Sequence, residues 1–508
     1  MTYAKSSNKR IAKNTVMLYA RMVIIMLVSL YTSRVILNSL GVVDYGVYNV
    51  VTGFVLAFGF LNSAMNASVQ RFLTVEFKEN NTEKLNKVFN LSVLVHFFLA
   101  IIVVVATEAI GLYFVKNKLV IPAERLTAAI WIFHLSVVTL FFSIMNVPYR
   151  ALIITHEDMG TFAVISLFEA FAKLFIAIII GYVIWDKLVT YGLLLAIIAV
   201  VIQLFYMLNC RIRYKNEVTF KPKWDSALFK DMTVFAGWNL LGVFAGIAYN
   251  QGVNIVINLF GGPVVNAARA IAFQVSGAAN QLVTNFQMAV NPPIMKAFVA
   301  KDKETTSLIC SSSKLSNILL LFVAVPLIIE MPYILQIWLK TVPEYTVILA
   351  RLALIEALVC SFAGPLHTLF QATGEIKQYQ LIISGILLFN LPISYVLLRF
   401  GFGYEITVVV AISLSFLALV ARLILIKKHL DLKLLFFIRV VFLPCLLVAV
   451  ISTFCAFCIT RVFPVGITRL ILVILMSVIS ITVMSYLCAF NSKEKLLVKE
   501  VIKKIRLK

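Results

Sequence analysis

The chain has 508 residues, of which 61% are hydrophobic and 13% charged, and its mean hydropathy is +0.98. A soluble globular protein carries about 25% charged residues, so a water-facing exterior is excluded and most of the surface must meet hydrocarbon. The formal charge of +22 would suit nucleic acid in a soluble protein. In a membrane chain the same Lys and Arg mark loops that resist translocation, and no nucleic-acid partner is expected.

Crossing hydrocarbon takes about 20 apolar residues at about 1.5 Å rise each. Fourteen stretches qualify, near 15–37, 47–67, 89–114, 126–148, 160–184, 188–209, 232–259, 266–290, 312–336, 346–370, 379–399, 404–426, 438–460 and 467–489. They lack the ten-residue alternation of a barrel, so an all-α polytopic membrane protein is predicted. The first stretch follows a basic run, Lys5 to Lys13, and is too long for a signal h-region; it is expected to be retained. With the N-terminus inside, 32 of the 45 Lys and Arg fall on the cytoplasmic side against 10 outside. That asymmetry predicts both termini in the cytoplasm. The tail beyond the last stretch places Leu497, Val501 and Ile505 on one helical face and Lys495, Lys499, Lys503 and Lys504 elsewhere. It suits the anionic leaflet surface, or serves as a topogenic tail.

Seven cysteines are scattered in or beside apolar stretches, and the Cys455-x-x-Cys458 pair sits inside one, where helix packing is the expected role. The five histidines show no metal-ligand spacing, and neither metal nor cofactor is expected.

An internal repeat is visible. Pro148-Tyr-Arg-Ala-Leu-Ile-Ile-Thr-His-Glu before the fifth stretch matches Pro365-Leu-His-Thr-Leu-Phe-Gln-Ala-Thr-Gly-Glu before the eleventh. Glu108 before Lys116 matches Glu330 before Lys340, and Asn38-Ser-Leu-Gly41 matches Asn258-Leu-Phe-Gly261. Helices 1–6 therefore recur as 7–12, in parallel halves because each holds an even number of crossings. The expected organisation is a first six-helix bundle over 1–230, a second over 231–430, and two added helices with a basic tail over 431–508.

These residues carry a family resemblance. Leu40-Gly-Val-Val-Asp-Tyr-Gly-Val-Tyr-Asn-Val-Val51, Arg71-Phe-Leu-Thr-Val-Glu76, and the Pro148 stretch followed by Glu169 and Lys173 resemble segments of bacterial polysaccharide flippases. Those flippases belong to the multidrug/oligosaccharidyl-lipid/polysaccharide exporter superfamily. The resemblance spans essentially the whole chain, and it implies a V-shaped pair of six-helix bundles around a cavity that opens alternately to each side. The implied substrate is a short glycan on an undecaprenyl diphosphate carrier, with helices 1, 2, 7 and 8 forming a lateral gate.

Charges inside the membrane cost at least about 2.5–3.5 kcal/mol on insertion scales, which makes each one a candidate. Arg21 and Arg34 lie on helix 1, Glu169 and Lys173 on helix 5, Arg269 at the start of helix 8, and Arg351 and Glu356 on helix 10. Each has a plainer reading. Glu169 and Lys173, four apart, form a self-neutralising pair or place Lys173 on a phosphate; the arginines near helix ends reach water by snorkelling or line the cavity. Glu108 and Glu330 are expected at an interface. Helix 7 carries Asn239, Asn250, Gln251, Asn254 and Asn258, helix 8 carries Gln274, Asn280, Gln281, Asn285 and Gln287, and helix 2 adds Asn49, Asn62 and Asn66. Such amides bind sugar hydroxyls in a wet cavity or pack between helices. Helix 7 also has Gly237, Gly242, Gly246 and Gly252, and Pro292 and Pro293 interrupt helix 8. They suit tight packing or a flexing gate.

Together these features predict a non-enzymatic flippase of the bacterial inner membrane working by alternating access. Basic residues hold the diphosphate, amides meet the sugar, and Glu169 or Glu356 are the coupling candidates. Membrane lipids and polysaccharide assembly proteins are the other expected partners. A multidrug cation antiporter would want acidic cavity groups, a lipid II flippase shares the diphosphate chemistry, and a membrane polymerase or ligase would need longer outer loops than 115–125.

Overall fold

In the computed structural model the chain is described over most of residues 2–496. Outside the described set lie residues 1, 60–64, 66–67, 71, 75, 78–80, 157, 220–223, 231, 234–245, 247, 301, 303, 374–375, 428–429, 431, 493 and 497–508. Asn62, Asn66, Asn239, Gly237, Gly242 and the apolar face of the tail fall among them.

The described residues form helices joined by turns, with no strand among them, in a polytopic membrane fold. Among the described residues eleven helices are long and apolar enough to cross a membrane, or twelve if the bent pair Thr346–Ser361 and Ala363–Gln371 is one span. The difference from the expected fourteen has a physical reason. Helix α1, Thr2–Ala57, runs through Gly41 at φ 81° and ψ 168°, so the predicted helices 1 and 2 meet at a break inside one element. Helix α7, Val253–Val299, does the same at Gly262, φ 66° and ψ −166°. Only glycine adopts such angles without strain, and the two breaks fall at or beside the repeated Gly41 and Gly261. The predicted stretches 47–67 and 232–259 also lie partly outside the described residues.

Two compact units form, Met1–Ala270 and Ile271–Lys508, with the division inside α7. In the first, α1 is followed by α2 (Thr82–Asn117), α3 (Leu126–Met145), α4 (Val147–Thr155), α5 (Met159–Ile180) and α6 (Lys187–Arg213). Acidic or amide caps start several of these: Asn81, Asp158 and Asp186 each accept from the backbone N–H three residues on. Burial works to raise the Asp158 carboxyl, but hydrogen bonds from Thr161 and the nearby Arg213 outweigh it and hold the group below its ordinary range. Arg125 ties three connections together, gripping Asp44 just past the Gly41 break at 2.6 and 2.7 Å and the α6 cap Asp186 at 2.7 Å. Exposed Tyr182 and Trp185 between α5 and α6 supply the amphipathic rings expected at a membrane interface.

The second unit holds α8 (Thr305–Leu339), α9 (Thr346–Ser361), α10 (Ala363–Thr373), α11 (Ile376–Leu388), α12 (Asn390–Arg399), α13 (Ile406–Ile426), α14 (Leu443–Val462) and α15 (Ile467–Met484). The packing partners repeat between units: α2 on α3, α3 on α6 and α5 on α6 in the first, α8 on α9, α9 on α13 and α11 on α13 in the second. The added helices α14 and α15 pack on each other and on α8.

Candidate functional site

A cavity of about 380 Å³ opens inside the first unit. Its walls are α1, α3, α4, α5 and α6. Helix α1 contributes Tyr48 and Thr52, α3 contributes Ser136, Thr139 and Ser143, and α6 contributes Tyr191 and Tyr206. Charged groups come from α4, with Arg150, and from α5, with Glu169 and Lys173.

Local sequence explains each placement. Pro148 occupies the first turn of α4, where its missing N–H costs nothing, and so sets Arg150 one turn into a new helix at the bundle wall. Glu169 and Lys173 are one turn apart on α5, and Lys173 Nζ donates to Glu169 Oε1 at 2.6 Å. Their side chains are 37% and 45% exposed, so the pair is open to whatever fills the cavity. Tyr206 has Arg21, Arg150 and Glu169 all within electrostatic range. Arg21 itself does not line the cavity; it donates to Ser166 Oγ of α5 at 3.2 Å and lies over the Phe162 ring at 4.5 Å. Asn146 also lines the space, and its buried Oδ1 has no hydrogen-bond partner. A buried carbonyl oxygen without a donor is costly, and a hydroxyl entering the cavity would satisfy it.

The described cavity wall therefore carries two cations, Arg150 and Lys173, against the Glu169 carboxylate that Lys173 pairs with, among hydroxyls and the Asn146 amide, and Arg21 adds a positive charge behind it. It suits an anionic headgroup carrying hydroxyls. Arg150 was missed as a sequence candidate because it read as a loop cation; the Pro148 motif was the available signal.

The remaining candidates lie elsewhere. Arg34 is half-buried on α1. In the first unit, Arg269 is 6% exposed and donates to the Asn250 carbonyl at 3.2 Å, across the α7 break. Asn250 sits in a π-helical turn and donates to the Gly246 carbonyl. Asn266 donates to both Asn254 oxygens at 2.8 Å and accepts from Asn258, which in turn takes the Val120 N–H at 2.8 Å. Asn258 thus reaches the Val120 backbone and Asn266 the Asn254 carbonyl, joining the two sides of the Gly262 break to each other and to the α2–α3 connection. In the second unit, Gln274, Asn280 and Gln281 are half-buried on α7, Glu356 is 8% exposed on α9, and Arg351 lines a separate recess with Arg461 and Arg469. Among the described residues no group of His, Cys, Asp or Glu is arranged to hold a metal ion.

No protein-family profile and no curated protein matches the sequence. Solved structures do match the fold. A multidrug-resistance MATE family transporter of the MOP superfamily, inward-facing, aligns at a TM-score of 0.66 and 15% identity over 80% of this chain and 98% of that one. The lipid II flippase MurJ, in an inward closed conformation, also aligns at 0.66, with 12% identity over 94% of this chain and 98% of that one. A MOP superfamily transporter from Pyrococcus furiosus aligns at 0.59, with 16% identity over 82% and 95%. The chain thus has the fold shared by MATE transporters and the lipid II flippase.

Proposed function

We propose that this protein moves an undecaprenyl-diphosphate-linked oligosaccharide from the cytoplasmic to the periplasmic leaflet of a bacterial inner membrane by alternating access. The observation that carries the reading is the cationic excess at the cavity of the first unit, where Arg150 and Lys173 line the wall and Arg21 stands behind it. A guanidinium and an ammonium hold a diphosphate through charge-assisted hydrogen bonds. The hydroxyls of Ser136, Thr139 and Ser143 and the open carbonyl of Asn146 meet sugar hydroxyls. A cation antiporter wants the opposite balance.

The movement involves no covalent step. A diphosphodiester carries about two negative charges, and an inside-negative potential of 100 mV favours their outward passage by roughly 4–5 kcal/mol. The potential is then sufficient to drive export without a counter-ion, with Glu169 neutralising Lys173 between substrates. The alignment with MurJ over 94% of this chain favours lipid II itself as a second reading of the same site.

The test is genetic. Arg150→Ala and Lys173→Ala, introduced singly, are expected to abolish complementation of a strain lacking its polysaccharide flippase, with membrane levels of the protein unchanged. Rescue of a strain depleted of its lipid II flippase would move the assignment to that substrate. Normal complementation by both variants would remove the cavity from the mechanism.

A further inference from the structure

We propose that the second unit carries a separate binding site for the phosphate of an anionic lipid, built where the two added helices meet α8 and α9. The site is a recess of about 540 Å³ lined by Arg351, Arg461 and Arg469, with Thr453, Thr460 and Phe457 of α14. This inference stands apart from the transport reading, since it uses none of the residues of the first cavity.

The recess exists because α8 breaks there. Pro332 has no N–H to give the carbonyl of Ile328, four residues earlier, and Glu330 leaves helical geometry at φ −94° and ψ 17°. Arg351 of α9 fills the gap, its Nε donating to the Ile328 carbonyl at 2.8 Å. Its Nη2 reaches the Ile329 carbonyl at 3.4 Å, so the backbone holds the Nε–Nη2 edge of the guanidinium and leaves Nη1 for the recess that the residue lines. From the start of α15, Arg469 donates to the fully buried Glu330 carboxylate at 2.7 Å. From the end of α14, exposed Arg461 lies over the Phe457 ring at 5.1 Å, which holds a long side chain in place.

Charge decides what this recess takes. The Glu330 carboxylate offsets one guanidinium, and the other two have no carboxylate partner among the described residues. Arginine forks match phosphate oxygens in paired hydrogen bonds. The surroundings say that the phosphate arrives on an apolar chain. Val462, Phe463, Val465 and Ile467, between and beside the two arginine-bearing helix ends, are all exposed. In the sequence-derived orientation this is the outer end of the helices, at the depth of headgroups. Phosphatidylglycerol and a polyprenyl phosphate both offer the required chemistry.

Native mass spectrometry of the purified full-length protein tests the site. Phosphatidylglycerol, zwitterionic phosphatidylethanolamine, undecaprenyl phosphate and inorganic phosphate are added in turn. The intact protein is expected to retain one or both anionic lipids over phosphatidylethanolamine. Retention should fall about fivefold in Arg461→Ala and more in Arg461→Glu, and should persist in Arg461→Lys. Preference for phosphatidylglycerol assigns the site to bulk lipid, and preference for undecaprenyl phosphate assigns it to the carrier. Equal retention of anionic and zwitterionic lipid, equal retention by Arg461→Glu and wild type, or binding of inorganic phosphate alone, would overturn the proposal.

Discussion

The two repeats keep the same helices but spend their polar residues differently. Arg150 and His367 hold the same place, two residues after Pro148 and Pro365. Arg150 faces a cavity, whereas His367 is engaged by the Tyr379 hydroxyl and Gln371, each at 3.1 Å. The positions of Glu169 and Lys173 recur as Ile386, packed on the core of the second unit, and Asn390, 2% exposed and bonded to Ser394. Helix α5 is continuous where its counterpart divides into α11 and α12. The glutamates diverge in the other direction. Glu108 is about one-third exposed and bonds His134 at 3.0 Å, while Glu330 is wholly buried against Arg469 of the added helices. Repetition fixes the backbone, and each unit then acquires its own charged recess.

The largest effect expected from this contrast is on stability. Replacing Glu330 by Ala strands Arg469 beside a buried gap and should cost about 3–5 kcal/mol. The same change at Glu108, about one-third exposed, should cost under about 1 kcal/mol. Thermal unfolding in detergent reads both, and equal shifts would erase the distinction.

Next in size is the functional asymmetry. Arg150→Ala should slow substrate movement about tenfold or more, the worth of a charge-assisted hydrogen bond. His367→Ala should leave the rate within twofold. Similar losses at both positions would mean that the halves share the work.

A smaller effect concerns the segment after α15. Lys314 of α8, 1% exposed, donates to Glu494 Oε2 at 2.7 Å and to the Ala489 carbonyl at 2.9 Å, and Ser311 donates to the other Glu494 oxygen. Burial works to raise the Glu494 carboxyl, but the bonds from Lys314 and Ser311 outweigh it and hold the group below its ordinary range. A depressed carboxyl stabilises above its unfolded pKa, and that contribution is lost as pH falls through the folded value. Protection from hydrogen exchange at the segment following Ala489, taken relative to the intrinsic rate at each pH, should therefore be high at pH 7 and fall below about pH 4. Glu494→Gln should be poorly protected at both. A further small effect belongs to the α5 cap, where Asp158→Ala should cost about 1 kcal/mol.

Much of the architecture was legible in the sequence because apolar length is a local property. The breaks were legible as repeated glycines, Gly41 and Gly261, although the second break falls one residue later, at Gly262. The sites were less so. Glu169 and Lys173 stood out because charges inside apolar stretches are conspicuous, and the four-residue spacing placed them together. Arg150, Arg461 and Arg469 looked like ordinary loop cations: only Pro148 hinted that Arg150 begins a new helix, and nothing local reveals that the added helical pair brings Arg461 and Arg469 to one recess. Lys314 was hidden for the same reason: its partner lies 180 residues away. The amides of helix 7 show the reverse. Their number suggested a wet surface, yet Asn254, Asn258 and Asn266 bond one another and the backbone around a helix break.

The most direct measurement is movement of a fluorescent polyprenyl-diphosphate saccharide across proteoliposomes under an imposed membrane potential, negative on the side from which the substrate leaves. The account predicts flipping by the intact protein that depends on the potential, persists without proton or sodium gradients, falls about tenfold or more in Arg150→Ala, and is unchanged in His367→Ala. Equal rates in the intact protein and Arg150→Ala, or a rate indifferent to the potential, would contradict it.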